Sequence, residues 1–281
     1  MSSIKEEVCI VVVLFNPSSD HIRNIEILSS YFFVIAIDNS DVSSDVKCSC
    51  YIPLNDNRGI AFAQNRGIEW AKEQGYKYVI FFDQDSKIEP SYVGDIYKEY
   101  HRIKEKDSSL AFLGPLVIDD EKNKEYKSES DKQKSYCKVS TIISSGSIVS
   151  LDIFDKIGNL DESLFIDYVD SEICWRASSY GFSTYMTRNI QLCHNVGNKY
   201  IVIMGVPFGV SAPFRYYYQY RNMLWLIRRG YVPKAWKVKS FLRSILDLIV
   251  VPFISGHCST TIKNMLKGYY DGFKKHPELL V

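Results

Sequence analysis

The run Val8-Cys9-Ile10-Val11-Val12-Val13-Leu14-Phe15 contains no charged or amide side chain. A strand with one face in water alternates apolar and polar residues, because successive side chains point to opposite faces. Eight apolar residues in succession therefore call for a strand covered on both faces, as in the middle of a parallel α/β sheet. Asn16-Pro17-Ser18-Ser19 breaks the run, and the pattern predicts a helix to about Ser30. Residues 32–37 read as a second buried strand ending at Asp38-Asn39-Ser40, and residues 51–54 as a short third strand. From Ile60, Ala61, Gln64, Asn65, Ile68 and Ala71 recur at helical spacing, and Gly75 marks a stop. Residues 78–82 form the next strand, 90–104 a helix and 110–115 another strand. Open parallel sheets of this β-α-β order bind nucleotides at the carboxyl ends of their strands. The turn after the first strand lacks a G-x-G-x-x-G pattern, which disfavours a nicotinamide cofactor.

One such strand end carries Asp83-Gln84-Asp85. With a period of two, Asp83 and Asp85 are expected to lean the same way. Two hard oxygen donors there suit a divalent cation that also holds a diphosphate. In the second half, Asp170 precedes a helical stretch containing Ile173, Trp175, Arg176 and Tyr180, with Gly181 as its stop. An N-cap is one reading of Asp170; a rigidly held general base is another, and the two are compatible. Glu172 and Arg176, four apart, are expected to pair on the helix surface. His194 follows a strand-like segment and is a candidate third metal ligand.

The charge is unevenly placed. The chain of 281 residues has a net charge of +1, yet residues 199–281 hold 13 Lys/Arg against 3 Asp/Glu. The first 198 residues hold 21 basic and 30 acidic side chains. The basic tail also contains 15 of the 39 aromatics. That combination suits a membrane surface better than duplex nucleic acid; the alternative is a helical subdomain with a solvated basic face and an aromatic core. Residues 245–254 are too short and too interrupted, by Asp247 and Pro252, to span a bilayer. The segment 119–138, dense in Lys, Glu, Asp and Ser, is expected to be an exposed loop or hairpin, and a domain boundary is expected near residue 200. Seven Cys without a C-x-x-C pair point to a reduced, cytoplasmic protein, and no leader peptide is expected at the amino terminus.

Taken in order, several short segments resemble the inverting nucleotide-sugar glycosyltransferases of family 2, which have the GT-A fold. Within them the chain is similar to bacterial L-rhamnosyltransferases of O-antigen and capsule assembly. The segments are Leu14-Phe15-Asn16-Pro17, Asp38-Asn39-Ser40, Asn57-Arg58-Gly59-Ile60-Ala61, Ala63-Gln64-Asn65-Arg66-Gly67 and Asp83-Gln84-Asp85-Ser86. They continue with Ile143-Ser144-Ser145-Gly146, Leu164-Phe165-Ile166-Asp167-Tyr168-Val169-Asp170, His194-Asn195-Val196-Gly197, Arg215-Tyr216-Tyr217-Tyr218 and Arg221-Asn222. The resemblance implies a Rossmann-like, mostly parallel sheet flanked by helices over residues 1–200. A helical, aromatic-rich extension over 201–281 would associate with membrane or form a homo-oligomer.

It also implies residue roles. Phe15, Asn16, Asp38, Asn57, Gly59, Asn65, Asp83 and Gln84 would contact the donor nucleotide. Asp83, Asp85 and His194 would hold Mg²⁺ or Mn²⁺ on its diphosphate. Asp170 would take the proton of the attacking acceptor hydroxyl. Many relatives place a second acid directly before this base, where the chain has Val169, so Asp167 and Glu172 stay open as alternatives. The implied donor is dTDP-L-rhamnose, with a UDP-hexose or UDP-N-acetylhexosamine as the alternative. The implied acceptor is a glycan on a polyprenyl diphosphate at the inner membrane face. A non-catalytic scaffold would be expected to lack one of Asp83, Asp85 and Asp170, and all three are present. A nucleotidyltransferase would need a Gly-rich basic loop after the first strand, which the chain does not have.

Overall fold

A computed structural model describes residues 2–86, 88–119, 124–125, 134–194 and 199–274. After a short helix α1 (Ser2–Glu7), the apolar run becomes β1 (Val8–Leu14), buried at every position. Its odd-numbered residues Cys9, Val11 and Val13 face one apolar layer, and Val8, Ile10, Val12 and Leu14 face another. The second layer is built from Ile25 and Leu28 of α2 (Ser19–Ser29) and from Val93, Ile96, Tyr100 and Ile103 of α4 (Pro90–Lys104). The first contains Ala61, Ile68 and Ala71 of α3 (Ile60–Glu73). The absence of polar residues in β1 thus reflects cover on both sides.

The main sheet has nine strands among the described residues. β3 (Cys50–Pro53), β2 (Val34–Asp38), β1 and β4 (Tyr78–Asp83) lie side by side in that order and are all parallel. Parallel alignment brings the ends of β1, β2 and β4 to one edge, so residues 15–16, 38–40 and 83–86 are neighbours there. Next to β4 come β8 (Ile148–Ser150), antiparallel, then β5 (Leu110–Asp119) and β9 (Ser183–His194), parallel to each other. β7 (Tyr136–Val139) closes that edge, and β6 (Lys124–Glu125) pairs with the end of β5. The segment 119–138, expected to be an exposed loop or hairpin, contains β6 and the first part of β7. Residues 120–123 and 126–133 lie outside the described part.

Between β8 and β9 the chain forms α5 (Asp152–Ile157), a 3-10 turn (Glu162–Leu164) and α6 (Val169–Ser179), which complete the first layer with Ile153, Phe154, Val169 and Ile173. Helical structure does not resume directly after β9. A hairpin of β10 (Lys199–Ile203) and β11 (Val206–Val210) comes first, turning through Met204 and Gly205, both at positive φ. Two consecutive left-handed residues make the hairpin turn that matches strand twist. Met is an unusual occupant of the first position, so the sequence carries no Asn-Gly signature there.

Three helices follow: α7 (Pro213–Arg228), α8 (Lys234–Ile254) and α9 (Cys258–Lys274). Tyr216, Tyr220, Val251 and Met265 pack together between them. The aromatics of the tail are thus divided: Phe208, Tyr216, Tyr220 and Trp225 are buried, whereas Tyr200, Phe214, Phe241, Phe253, Tyr270 and Phe273 are exposed. α7 also reaches into the body: Trp225 joins the layer beneath β1, and Leu226 packs with Trp175 of α6. Among the described residues, no helix is long and apolar enough to cross a membrane.

Candidate active site

At the sheet edge, hydrogen bonds between distant segments fix the loops. The Gln84 side chain locks onto the Phe15 backbone: Phe15 N–H donates to Oε1 at 2.7 Å, and Nε2 donates to the Phe15 carbonyl at 3.1 Å. Asn16, at φ 46°, donates its N–H to Ser40 Oγ at 2.8 Å. Asp38 is fully buried. Its carboxylate accepts from Ser40 N–H and Oγ–H, from Ser44 N–H at 2.9 Å and from Tyr51 O–H at 2.7 Å. Burial pushes this carboxyl up, but the bonds from Ser40, Tyr51 and Ser44 outweigh it and hold the group below its ordinary value. Four donors match the acceptor capacity of a carboxylate. Asp38 therefore organises the loop that was expected to meet the nucleotide. Asn57 Oδ1 accepts from Asn39 Nδ2 at 3.0 Å and from Gly59 N–H at 3.2 Å, which shapes the entry to α3.

Asn65, expected among the donor contacts, sits elsewhere. It is buried, its Nδ2 donates to the Leu160 carbonyl and to Glu162 Oε1, and its Oδ1 accepts from Leu160 N–H. The side chain clamps the 160–162 turn to α3.

β4 ends at Asp83, and the next residues form a turn in which Ser86 N–H donates to the Asp83 carbonyl at 3.1 Å. Strand alternation therefore stops before Asp85. The two carboxylates share a turn, both partly exposed, rather than one strand face. Ser145 fastens this turn: its Oγ accepts from Asp83 N–H at 3.3 Å and lies 2.8 Å from Ser86 Oγ. The adjacent residue, Ser144, donates its hydroxyl to Asp170 Oδ1 at 2.5 Å. Two successive serines thus tie Asp170 to the aspartate pair, across separations of 26 residues on one side and about 60 on the other.

The competing acids are placed differently. Asp167 forms a two-pronged ion pair with Arg215, whose Nη2 and Nε lie 2.5 and 3.2 Å from its carboxylate oxygens. Glu172 is fully buried and paired twice with Arg176 at 2.9 Å, with Arg229 Nη1 at 3.4 Å and with Tyr231 O–H at 2.5 Å. The expected surface pair of Glu172 and Arg176 is therefore an interior cluster. Asp170 is not the cap of α6 either. Tyr168 holds that position in a left-handed conformation, and Asp170 falls in the first helical turn, where a negative charge is favoured. His194 ends β9 opposite Asp119, but its side chain lies outside the described part.

The turn that presents Asp170 is strained. Phe165, Asp167 and Tyr168 all have φ between 65° and 67°, and such residues cost on the order of 1–3 kcal/mol each. Helix α7 holds them in place. The buried Asn222 donates Nδ2 to the carbonyls of Leu164 and Ile166 at 2.8 Å and of Asp167 at 3.2 Å, while Arg221 Nη2 donates to the Ser163 carbonyl at 2.7 Å. Phe165 stacks on Tyr218 at 4.6 Å, and its carbonyl accepts from Ile60 N–H at 2.8 Å. Gly59, at φ 86°, admits that approach, since a Cβ there would lie 2.6 Å from the Phe165 carbonyl oxygen. Arg221-Asn222 stood out in the sequence without a physical role, and the sequence gives no sign that Ser144 meets Asp170. We expect Asn222→Ala to lower kcat by about 10-fold or more with donor KM nearly unchanged, because a small misplacement of a reacting group is that costly. A fall in thermal stability with kcat intact would make Asn222 a structural residue only.

The donor set at the β4 turn fits a small hard cation. Two carboxylates on one turn, with diphosphate and water oxygens to complete the shell, is how Mg²⁺ is commonly held. Among the described residues, no group of three or more His, Cys, Asp or Glu forms a cage that would hold a metal without substrate. Residues 34–158 match the family model described as glycosyl transferase family 2. The chain is 30% identical over 263 residues to the dTDP-rhamnosyl transferase RfbF of Shigella flexneri, and the match covers 86% of each protein. It is also similar in fold to a crystal structure of GalNAc-T7 with UDP, GalNAc and Mn²⁺. That likeness has a TM-score of 0.54 at 13% identity and covers 96% of this chain and 56% of that one. Sheet order, the loops gathered at one edge and the extent of the match agree: the chain belongs to glycosyl transferase family 2.

Proposed function

We propose that this protein is an inverting transferase that moves L-rhamnose from dTDP-L-rhamnose to a hydroxyl of a lipid-linked glycan. The observation that carries the reading is the pair Ser144 and Ser145, which bonds to Asp170 on one side and to the Asp83–Ser86 turn on the other. The overall similarity to a dTDP-rhamnosyl transferase supports the choice of donor. In the reaction, the acceptor oxygen attacks the anomeric carbon while the bond from that carbon to the diphosphate oxygen breaks. Asp170 takes the hydroxyl proton, and Ser144 holds its Oδ1 in position. A single displacement inverts the centre, so a β-L-linked donor gives an α-L-rhamnoside. Asp83 and Asp85 would hold Mg²⁺ or Mn²⁺, which offsets charge on the leaving diphosphate. Asp167 and Glu172 are ill placed for the proton, since Arg215 pairs with the first and a buried ion cluster holds the second.

Asp170→Asn should abolish transfer, with a loss of about 10³-fold or more, while the thermal shift produced by dTDP-rhamnose with Mn²⁺ stays close to that of the unmodified protein. Turnover retained in the variant would put the base elsewhere. A shift produced by UDP-glucose or UDP-N-acetylglucosamine but not by dTDP-rhamnose would change the donor.

The membrane side of the reading rests on α8. Val238, Phe241, Leu242, Ile245, Leu246, Ile249 and Phe253 are all exposed, from 40% to 77%. At 100° per residue they fall on one side of the helix. Lys234 and Lys239 flank them, and Lys263, Lys267 and Lys274 are exposed on α9. Asp247 is paired with Arg243, and Asp271 is buried. An apolar face bordered by exposed lysines suits an in-plane contact with anionic lipid. Co-sedimentation with phosphatidylglycerol-containing vesicles should therefore be clear at low salt and fall as salt is raised. Absent or salt-independent sedimentation would turn this face over to contacts between protein copies.

A further inference from the structure

Beside the turn that carries Asp170, helices α6, α7 and α8 surround a cavity of about 500 Å³. That is within the range of sites that hold small molecules, roughly 300–1,000 Å³. Tyr168 and Ser171, on either side of the Val169-Asp170 pair, both line it, and Trp175 continues the same stripe one turn further along α6. Trp236 of α8 faces them, with its ring 4.8 Å from Trp175 and 5.4 Å from Tyr168.

The second observation is independent of shape. Trp175 is only 4% exposed, and its indole N–H is buried with no acceptor among the described residues. Buried donors nearly always have a partner, and one left without a protein acceptor in a cavity wall marks a place for a ligand oxygen or an ordered water. The remaining wall is mixed: Gln219 of α7 lines it, and Lys239, Ser240 and the Arg243–Asp247 pair continue the Trp236 stripe along α8. A lipid chain would leave these polar groups unmatched, and an isolated anion would meet the Asp247 carboxylate. Flat aromatic surface together with scattered hydrogen-bonding groups suits a pyranose, which has an apolar ring face and a hydroxyl rim.

The cavity is also in line with the reacting groups. Ser140 and Thr141 line it, Ser144 bonds to Asp170, and Ser145 bonds to the Asp83–Ser86 turn. One segment therefore runs from the cavity, past the base, to the donor end. An extended chain advances about 3.3–3.6 Å per residue, so Thr141 and Ser144 are at most about 10 Å apart along it, within the reach of a disaccharide. We propose that the cavity binds one sugar ring of the acceptor glycan, the residue adjoining the one whose hydroxyl reacts, against Trp236 and with the Trp175 N–H as a donor. This rests on the reading of the protein as a glycosyltransferase with Asp170 as its base.

The test uses the full chain and four probes: the methyl glycosides of L-rhamnose, D-glucose, D-galactose and N-acetyl-D-glucosamine. Binding is followed by saturation-transfer NMR, and donor binding is measured separately as the thermal shift with dTDP-rhamnose and Mn²⁺. At least one glycoside should bind the unmodified protein, and should bind about 10-fold more weakly to Trp236→Ala and several-fold more weakly to Trp175→Phe, which keeps a six-membered aromatic ring but removes the N–H with the five-membered part of the indole. Both variants should keep the donor shift. Should Trp236→Ala fail to fold, Trp175→Phe decides alone. No binding by any of the four, or equal binding to Trp175→Phe, would make the cavity a water-filled packing gap and overturn the proposal. Loss of the donor shift in the unmodified protein would instead strike the rhamnosyl reading and leave the glycoside result standing.

Discussion

The site depends on a junction of two neighbouring serines. Ser144 reaches Asp170 and Ser145 reaches the turn after β4, so Asp170 from one half of the chain and the Asp83–Ser86 turn from the other are fixed by adjacent residues. Because consecutive Cα atoms are held about 3.8 Å apart, the junction allows little relative movement of the two carboxylate groups. The backbone reinforces it: Gly146 N–H donates to the Phe81 carbonyl at 2.7 Å, which seats the serine segment beside β4 as an extra strand pairing. The fixed spacing of Asp170 and the Asp83–Ser86 turn thus comes from sheet hydrogen bonding and two hydroxyls.

A second set of interactions keeps the turn before Asp170 strained. Three left-handed residues in four are unfavourable on their own, and Asn222, Arg221 and Arg215 of α7 offset that cost through bonds to the turn's carbonyls and to Asp167. Beneath it, Arg229 pairs with Asp161 and Glu172 while 3% exposed. Removing one member of such a buried cluster typically costs about 3–5 kcal/mol, because the partner charge is left unmatched. The carboxyl-terminal helices are therefore part of what positions Asp170. α8 carries three duties on one cylinder: it packs on α7 and α9, its Trp236 side lines the cavity, and its aliphatic side faces outward.

The sheet was legible in the sequence because its signals are local. The unbroken apolar run of β1 announces two-sided cover, Pro90 sits at the first position of α4, and Gly75 and Gly181 lie at positive φ just past α3 and α6. Asp83, Asp85 and Asp170 were legible as acids near strand and helix ends. What escaped was long-range or conformational. The Asn222 bonds span 55 to 58 residues and leave no local trace. Strand alternation does not extend to Asp85, because β4 ends at Asp83, two residues earlier. The cap expected at Asp170 moved to Tyr168 because a left-handed turn, invisible in composition, precedes the helix. Asn65 was grouped with the nucleotide contacts by its place in a motif, whereas its amide bonds to Leu160 and Glu162.

The account turns on one convergence, which a crystal structure with dTDP-L-rhamnose and Mn²⁺ examines most directly through the anomalous signal of the metal. The prediction is a metal peak touching the Asp83 and Asp85 carboxylates, with the anomeric carbon of the sugar open to Asp170. A nucleotide and metal bound away from the turn after β4, or a sugar walled off from Asp170, would contradict it.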